Sequence, residues 1–124
     1  MVNREVEPKH RTLLVGLAHP DDETGMAGTI LAQVARGDRV VIVWLTRGEQ
    51  TEAFGPIPIE EVARRREEQG HRAGEILGAD TRFLDFADTA VVHDRESVLR
   101  VARVICEYQP DGLLTWGDAW IRGM

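Results

Sequence analysis

The sequence predicts an α/β protein of Rossmann-like type, a three-layer α/β/α sandwich with a mainly parallel sheet. Three observations predict it. Short, nearly continuous apolar runs alternate with longer stretches of helical period, glycine or proline punctuates the ends of the helical stretches, and no linker or internal repeat divides the chain. Alternation of strand and helix implies right-handed crossovers and a parallel sheet covered by helices on both faces.

Residues 1–11 read as a polar leader and residues 12–124 as a single domain. Thr12 to Ala18 (TLLVGLA) is a strand apolar on both faces, as a central parallel strand requires. It ends at His19-Pro20. Residues 24–36 place Ala27, Ile30, Leu31 and Val34 at helix spacing and stop at Gly37. Arg39 to Leu45 (RVVIVWL) is a second buried strand, followed by a long loop of no period, TRGEQTEAFGPIP, of a length that is often functional. Ile59 to Leu77 is helical, with apolar or small residues at 59, 62, 63, 70, 73, 76 and 77 and Gly78 as C-cap. Thr81 to Phe86 gives a third strand, Ser97 to Tyr108 a helix broken by Pro110-Asp111, and Gly112 to Trp116 a fourth strand. The order is βαβαβαβ.

The chain has 124 residues, 43% hydrophobic and 29% charged, the balance of one globular domain with its own core. Cys106 is the only cysteine, so no intramolecular disulfide forms and a reducing cytoplasm is the expected location. Its neighbours make it a packing residue. No apolar run reaches the roughly 20 residues that span a bilayer, and the charged N-terminus is unlike a signal peptide. The formal net charge of -6 disfavours nucleic acid, whose affinity comes from neutralised phosphates, and favours a small-molecule partner.

In such sheets ligands bind beyond the carboxyl ends of the strands. The richest of these ends is His19-Pro20-Asp21-Asp22-Glu23. An imidazole and a carboxylate three residues apart on a tight turn suit one divalent cation, and zinc accepts that donor set. Asp21 beside Asp22 concentrates negative charge that a cation or proton must neutralise. Asp22 and Glu23 can instead serve the positive N-terminus of the following helix, which accounts for one or two acids but not for His19 with all three. His10, His71 and His93 lie outside this pattern and read as surface or satisfied residues.

LAHPDDET at residues 17–24 resembles the signature of the LmbE-like, or PIG-L, deacetylases, zinc-dependent hydrolases of N-acetylglucosamine-type sugars. Leu45 to Glu49 (LTRGE), Arg66 in the long helix, Phe86-Ala87-Asp88 and Pro110 to Thr115 resemble further stretches of that family, so the likeness covers the chain from residue 12 onward. The resemblance implies His19 and Asp22 as metal ligands, zinc or another divalent transition metal, and Asp21 as general base. It implies substrate-binding roles for Arg66, Glu49 and Asp88. Snorkelling at the stripe's edge is the structural alternative for Arg66, and loop capping the alternative for Glu49 and Asp88. The implied substrate is an amino-sugar conjugate.

The family completes its metal site with a second histidine, in a His-Pro-Asp-His type segment beyond the fourth strand, and this chain reaches Met124 without one. The resemblance therefore implies the N-terminal half of the fold, two of three metal ligands, and weak turnover by these 124 residues alone. A sheet ending at strand four exposes an edge, which favours a homo-oligomer. Three functions stay open: an N-deacetylase; a catalytically incompetent metal- or sugar-binding domain of the same fold; and a phosphoacceptor receiver domain using Asp85 and Thr115. Receivers need a lysine after strand five, and Lys9, the only lysine, precedes strand one.

Overall fold

The computed structural model describes residues 9–117. The chain runs β1 (Thr12–Leu17), a 3-10 helix (Asp22–Met26), α1 (Ala27–Ala35), β2 (Arg39–Trp44), α2 (Ile59–Leu77), β3 (Asp80–Phe83), α3 (Arg95–Tyr108) and β4 (Gly112–Thr115). The expectations for residues 1–8 and 118–124 lie outside the described residues.

All pairings are parallel, and the sheet order is β3-β2-β1-β4. The α/β class read from the sequence is the class observed. Strand alternation splits the core. Val15, Leu17, Val40, Ile42 and Trp44 face Ile30 of α1 and Leu77 of α2, whereas Leu14, Val41 and Val43 face Val104 of α3 with Leu84 and Phe86. β1 and β2 are thus covered on both sides, which is why their sequences are apolar runs and not alternating ones. Val15, Ile30, Val41 and Ile42 have no exposed surface, and each such side chain contributes about 1.5–3 kcal/mol of transfer free energy.

The order also decides against one reading. A receiver-type sheet sets β3 beside β1, but here β3 pairs with β2 and β1 lies between β2 and β4. The phosphoacceptor proposal is overturned on topology. The sheet reverses direction of growth at β1, so the switch point where doubly wound folds bind ligands falls at the loop after β1. Among the described residues no helix is long and apolar enough to cross a membrane.

α2 has the boundaries its period predicts, and its inner stripe is Val62, Gly70, Gly74 and Leu77, while Ile59 and Ile76 lie exposed. Glycine is required there because α2 lies close on β3. A Cβ at Gly70 would stand 2.6 Å from Phe83 Cζ, and one at Gly74 2.2 Å from Thr81 Cγ2.

Other expectations shift. The helix expected over 24–36 is a 3-10 helix followed by α1, and Leu31, placed inward by spacing, is exposed because Ala27, Ile30 and Val34 alone carry the inner face of so short a helix. The third strand ends at Phe83, not Phe86. Leu84 and Phe86 still donate to Trp44 and Leu45 at 3.0 and 2.9 Å, but Asp85 at φ 58° breaks the strand between them. α3 begins two residues early because Asp94 caps it, accepting from the Ser97 amide at 2.8 Å; that bond holds the Asp94 carboxyl below its ordinary range. Cys106 is exposed, on the outer side of α3, and not a packing residue.

Candidate active site at the carboxyl end of β1

His19-Pro20-Asp21-Asp22 is a turn closed by the Asp22 amide donating to the His19 carbonyl at 3.2 Å. Proline second and a positive-φ residue third is the type II pattern, and Asp21 takes φ 105° and ψ -22°. The turn sets its first and fourth residues side by side. Asp22 Oδ2 accepts the His19 amide at 2.9 Å and lies 3.8 Å from His19 Nδ1.

The other ring nitrogen has a closer partner. His19 Nε2 is 3.0 Å from Asp88 Oδ1, and Asp88 is buried, its second oxygen accepting the Gln50 amide at 3.0 Å. A carboxylate only accepts, so Nε2 carries the proton, and a neutral imidazole then turns the Nδ1 lone pair to Asp22. A lone pair and a carboxylate facing each other repel unless a cation or a second ring proton stands between them. Imidazole donating its far N–H to a carboxylate is also the arrangement that orients metal-ligating histidines. The residues therefore fit a divalent ion. Among the described residues no group of three or more His, Cys, Asp and Glu side chains is arranged to hold one without further ligands.

Asp88 was expected to face substrate; both its oxygens instead engage the protein, and it stands behind His19. Glu49 is tied to it, Oε1 accepting the Asp88 amide at 2.7 Å while Oε2 is buried without a partner among the described residues. Arg66 rises from the middle of the inner stripe of α2. Nη2 donates to the Pro20 carbonyl and lies 3.4 Å from Asp21 Oδ2, while Nε is buried and unpaired among the described residues. The guanidinium lies over Gly48, whose φ of 63° and missing Cβ make room for it: a Cβ would stand 3.0 Å from Nη2. The snorkelling alternative fails, since the side chain is 14% exposed against 69% for Asp21.

Sequence reasoning gave Glu23 only to the N-terminus of the following helix and named Thr46 and Arg47 only within the LTRGE stretch; the structure gives all three a supporting part. Glu23 is buried, one oxygen accepting both the Asp21 amide at 2.8 Å and the Trp44 indole N–H at 3.2 Å. Thr46 is buried at the end of β2, donating to the Ala18 carbonyl and accepting the Gly48 amide, each at 3.1 Å. Arg47 bridges Glu67 at 2.7 Å and Asp85 at 2.5 Å, holding the loop after β2 between α2 and the residues after β3. A polar residue closing an all-apolar strand was the available signal for Thr46. His71 donates to or accepts from Thr81 Oγ1 at 2.6 Å, away from this cluster.

The fold and the site define a doubly wound α/β protein with a polar side-chain cluster at its switch point. The chain belongs to the PIG-L family, whose model, described as GlcNAc-PI de-N-acetylase, matches residues 14–121. It is 36% identical over 105 residues to the diacetylchitobiose deacetylase of Thermococcus kodakarensis, covering 83% of this chain and 39% of that protein. It is 30% identical over 118 residues to a 4-oxalmesaconate hydratase of Pseudomonas putida, covering 90% of this chain and 46% of that protein. Its fold superposes on the N,N'-diacetylchitobiose deacetylase of Pyrococcus horikoshii with a TM-score of 0.79 at 28% identity, covering 83% of this chain and 39% of that one. The chain thus spans less than half the length of these relatives.

Proposed function

We propose that the chain carries the water-activating part of a metal-dependent N-deacetylase acting on an N-acetylglucosamine-type sugar conjugate. The observation that carries the reading is the clamped imidazole: Asp88 holds His19 Nε2 at 3.0 Å and leaves Nδ1 facing Asp22. His19 and Asp22 would hold zinc or another divalent transition metal together with a ligand from outside the described residues, and the ion would acidify water and polarise the amide carbonyl.

The exposed Asp21 carboxylate takes a proton as water oxygen bonds to the carbonyl carbon. It returns that proton to the nitrogen as the C–N bond breaks, releasing acetate and the free amine. Arg66 steadies this loop through the Pro20 carbonyl and Asp21. The test is amine release from N-acetylglucosamine and N,N'-diacetylchitobiose with zinc content measured in parallel. In a form that also supplies the third metal ligand, Asp21→Asn is expected to keep zinc and lose about 10²–10⁴ in turnover, the range of a lost general base, whereas His19→Ala loses zinc. Undiminished hydrolysis by Asp21→Asn refutes the base assignment.

The hydratase relative favours a second reading, in which the same groups add water to a conjugated unsaturated carboxylate. Loss of the conjugated absorbance of 4-carboxy-2-hydroxymuconate, without amine release from the sugars, selects it.

A further inference from the structure

The buried carboxylate of Glu23 has no place in the chemistry above. It is 6% exposed, and a charge in such surroundings is costly unless its partners require it. Its partners are two N–H groups converging on one oxygen: the amide of Asp21 at 2.8 Å and the indole of Trp44 at 3.2 Å. Trp44 has no exposed surface and ends the central strand β2, where it stacks on Phe83 with ring centroids 4.8 Å apart. The Asp21 side chain is 69% exposed, and its φ of 105° is one that non-glycine residues hold only when the surroundings fix it.

We propose that Glu23 is a positioning residue that ties the backbone of Asp21 to the sheet through Trp44, holding the Asp21 carboxylate beside Arg66 and the His19–Asp22 pair. The inference rests on the reading of Asp21 as the base. The reach-back from Glu23 to the Asp21 amide satisfies the N-cap amide of the 3-10 helix from its second residue. Capping alone does not account for the second donor, since the indole belongs to a strand and not to the helix being capped. The shared oxygen makes the turn's left-handed residue continuous with the buried core around Trp44. A side-chain oxygen with two lone pairs suits the task because it accepts both N–H donors at once.

The experiment is amide hydrogen exchange with ¹⁵N–¹H resonances on the 124-residue chain, following Asp21, the Trp44 indole and Val41, a core amide with no exposed surface. In Glu23→Ala, exchange at Asp21 is expected to rise about tenfold or more, the size of a lost hydrogen bond to a charged group, and the Trp44 indole resonance to move, with Val41 unchanged. In Glu23→Gln, whose carbonyl still accepts, Asp21 exchange is expected to stay within about threefold of the parent. Glu23→Asp, one methylene shorter, repeats the loss in a variant that keeps the charge. Unchanged exchange at Asp21 in the Ala and Asp variants overturns the proposal, and an equal rise at Val41 overturns it by making Glu23 a residue of global stability. Failure of the base reading is separate: full hydrolysis by Asp21→Asn would remove the catalytic purpose while leaving the exchange result standing.

Discussion

Replacing Asp88 by asparagine tests the clamp on His19 with little change of volume. In the parent, Asp88 offers two acceptor oxygens to two donors, His19 Nε2 at 3.0 Å and the Gln50 amide at 3.0 Å. An asparagine offers one acceptor and one NH₂. Whichever way the amide is turned, one N–H donor then faces another in a buried position, and an orphaned buried donor costs about 1–3 kcal/mol. If the ring keeps its bond, the loop at Gln50 loosens; if Gln50 keeps it, the ring is free to flip and Nδ1 no longer faces Asp22. Loss of such outer partners typically lowers metal affinity about 10–100-fold. The assay is zinc titration by calorimetry with urea unfolding in parallel, because the two outcomes divide between affinity and stability. A variant with zinc affinity within about twofold of the parent, and unchanged unfolding, would show that the 3.0 Å contact orients nothing.

Three further substitutions act on the scaffold. Gly74→Ala places a Cβ 2.2 Å from Thr81 Cγ2 and 3.0 Å from the Ala79 carbonyl, and the backbone oxygen cannot turn aside. Overpacking of about 1–3 kcal/mol outweighs the helix propensity gained, about 1 kcal/mol, so the melting temperature falls by a few degrees, whereas Gly28→Ala on the open side of α1 raises it. Hydrogen bonds from Arg64 and Arg65 hold the Glu61 carboxyl down to about 2 from 4.5. A depressed carboxyl contributes stability above its unfolded value and loses it as pH falls through the folded one. The melting-temperature difference between the parent and Glu61→Gln is therefore expected to shrink between pH 4.5 and about 2, and a difference constant across that window refutes the pairing.

The elements legible in the sequence are those that one local pattern dictates. α2 was readable to the residue because a long amphipathic period ends in a glycine, and Gly78 takes the left-handed C-cap at φ 75°. β1 and β2 were readable because burial on both faces leaves no polar position to confuse the run. β3 was misread at its end because TRFLDF has strand composition throughout, while the break comes from Asp85 adopting φ 58° beside Arg47, a tertiary partner that composition does not carry. Cys106 and Leu31 were misplaced for the same reason: on short helices the exposed flank and the core face differ by a single position, and the neighbouring layer decides between them.

At the site, the turn could be read and its support could not. His19 to Asp22 lie within four residues, and a proline second in a turn already suggests that its ends meet. Asp88 lies 69 residues from His19 and Arg66 lies 45 from Asp21, so periodicity gave them no partner, and resemblance supplied only a general role. The fold resolves those roles by depth. Side chains from α2, from the loop after β2 and from the residues after β3 approach the turn from within the protein, so they meet its backbone and the far side of the imidazole before they meet any substrate. Asp21 is the most exposed member of the cluster, and the buried groups around it, Glu23, Arg66 and Asp88, are spent on the geometry of the turn that presents it. Substitution of an inner residue should therefore disturb metal affinity or local exchange, while substitution of Asp21 should leave both intact and remove turnover.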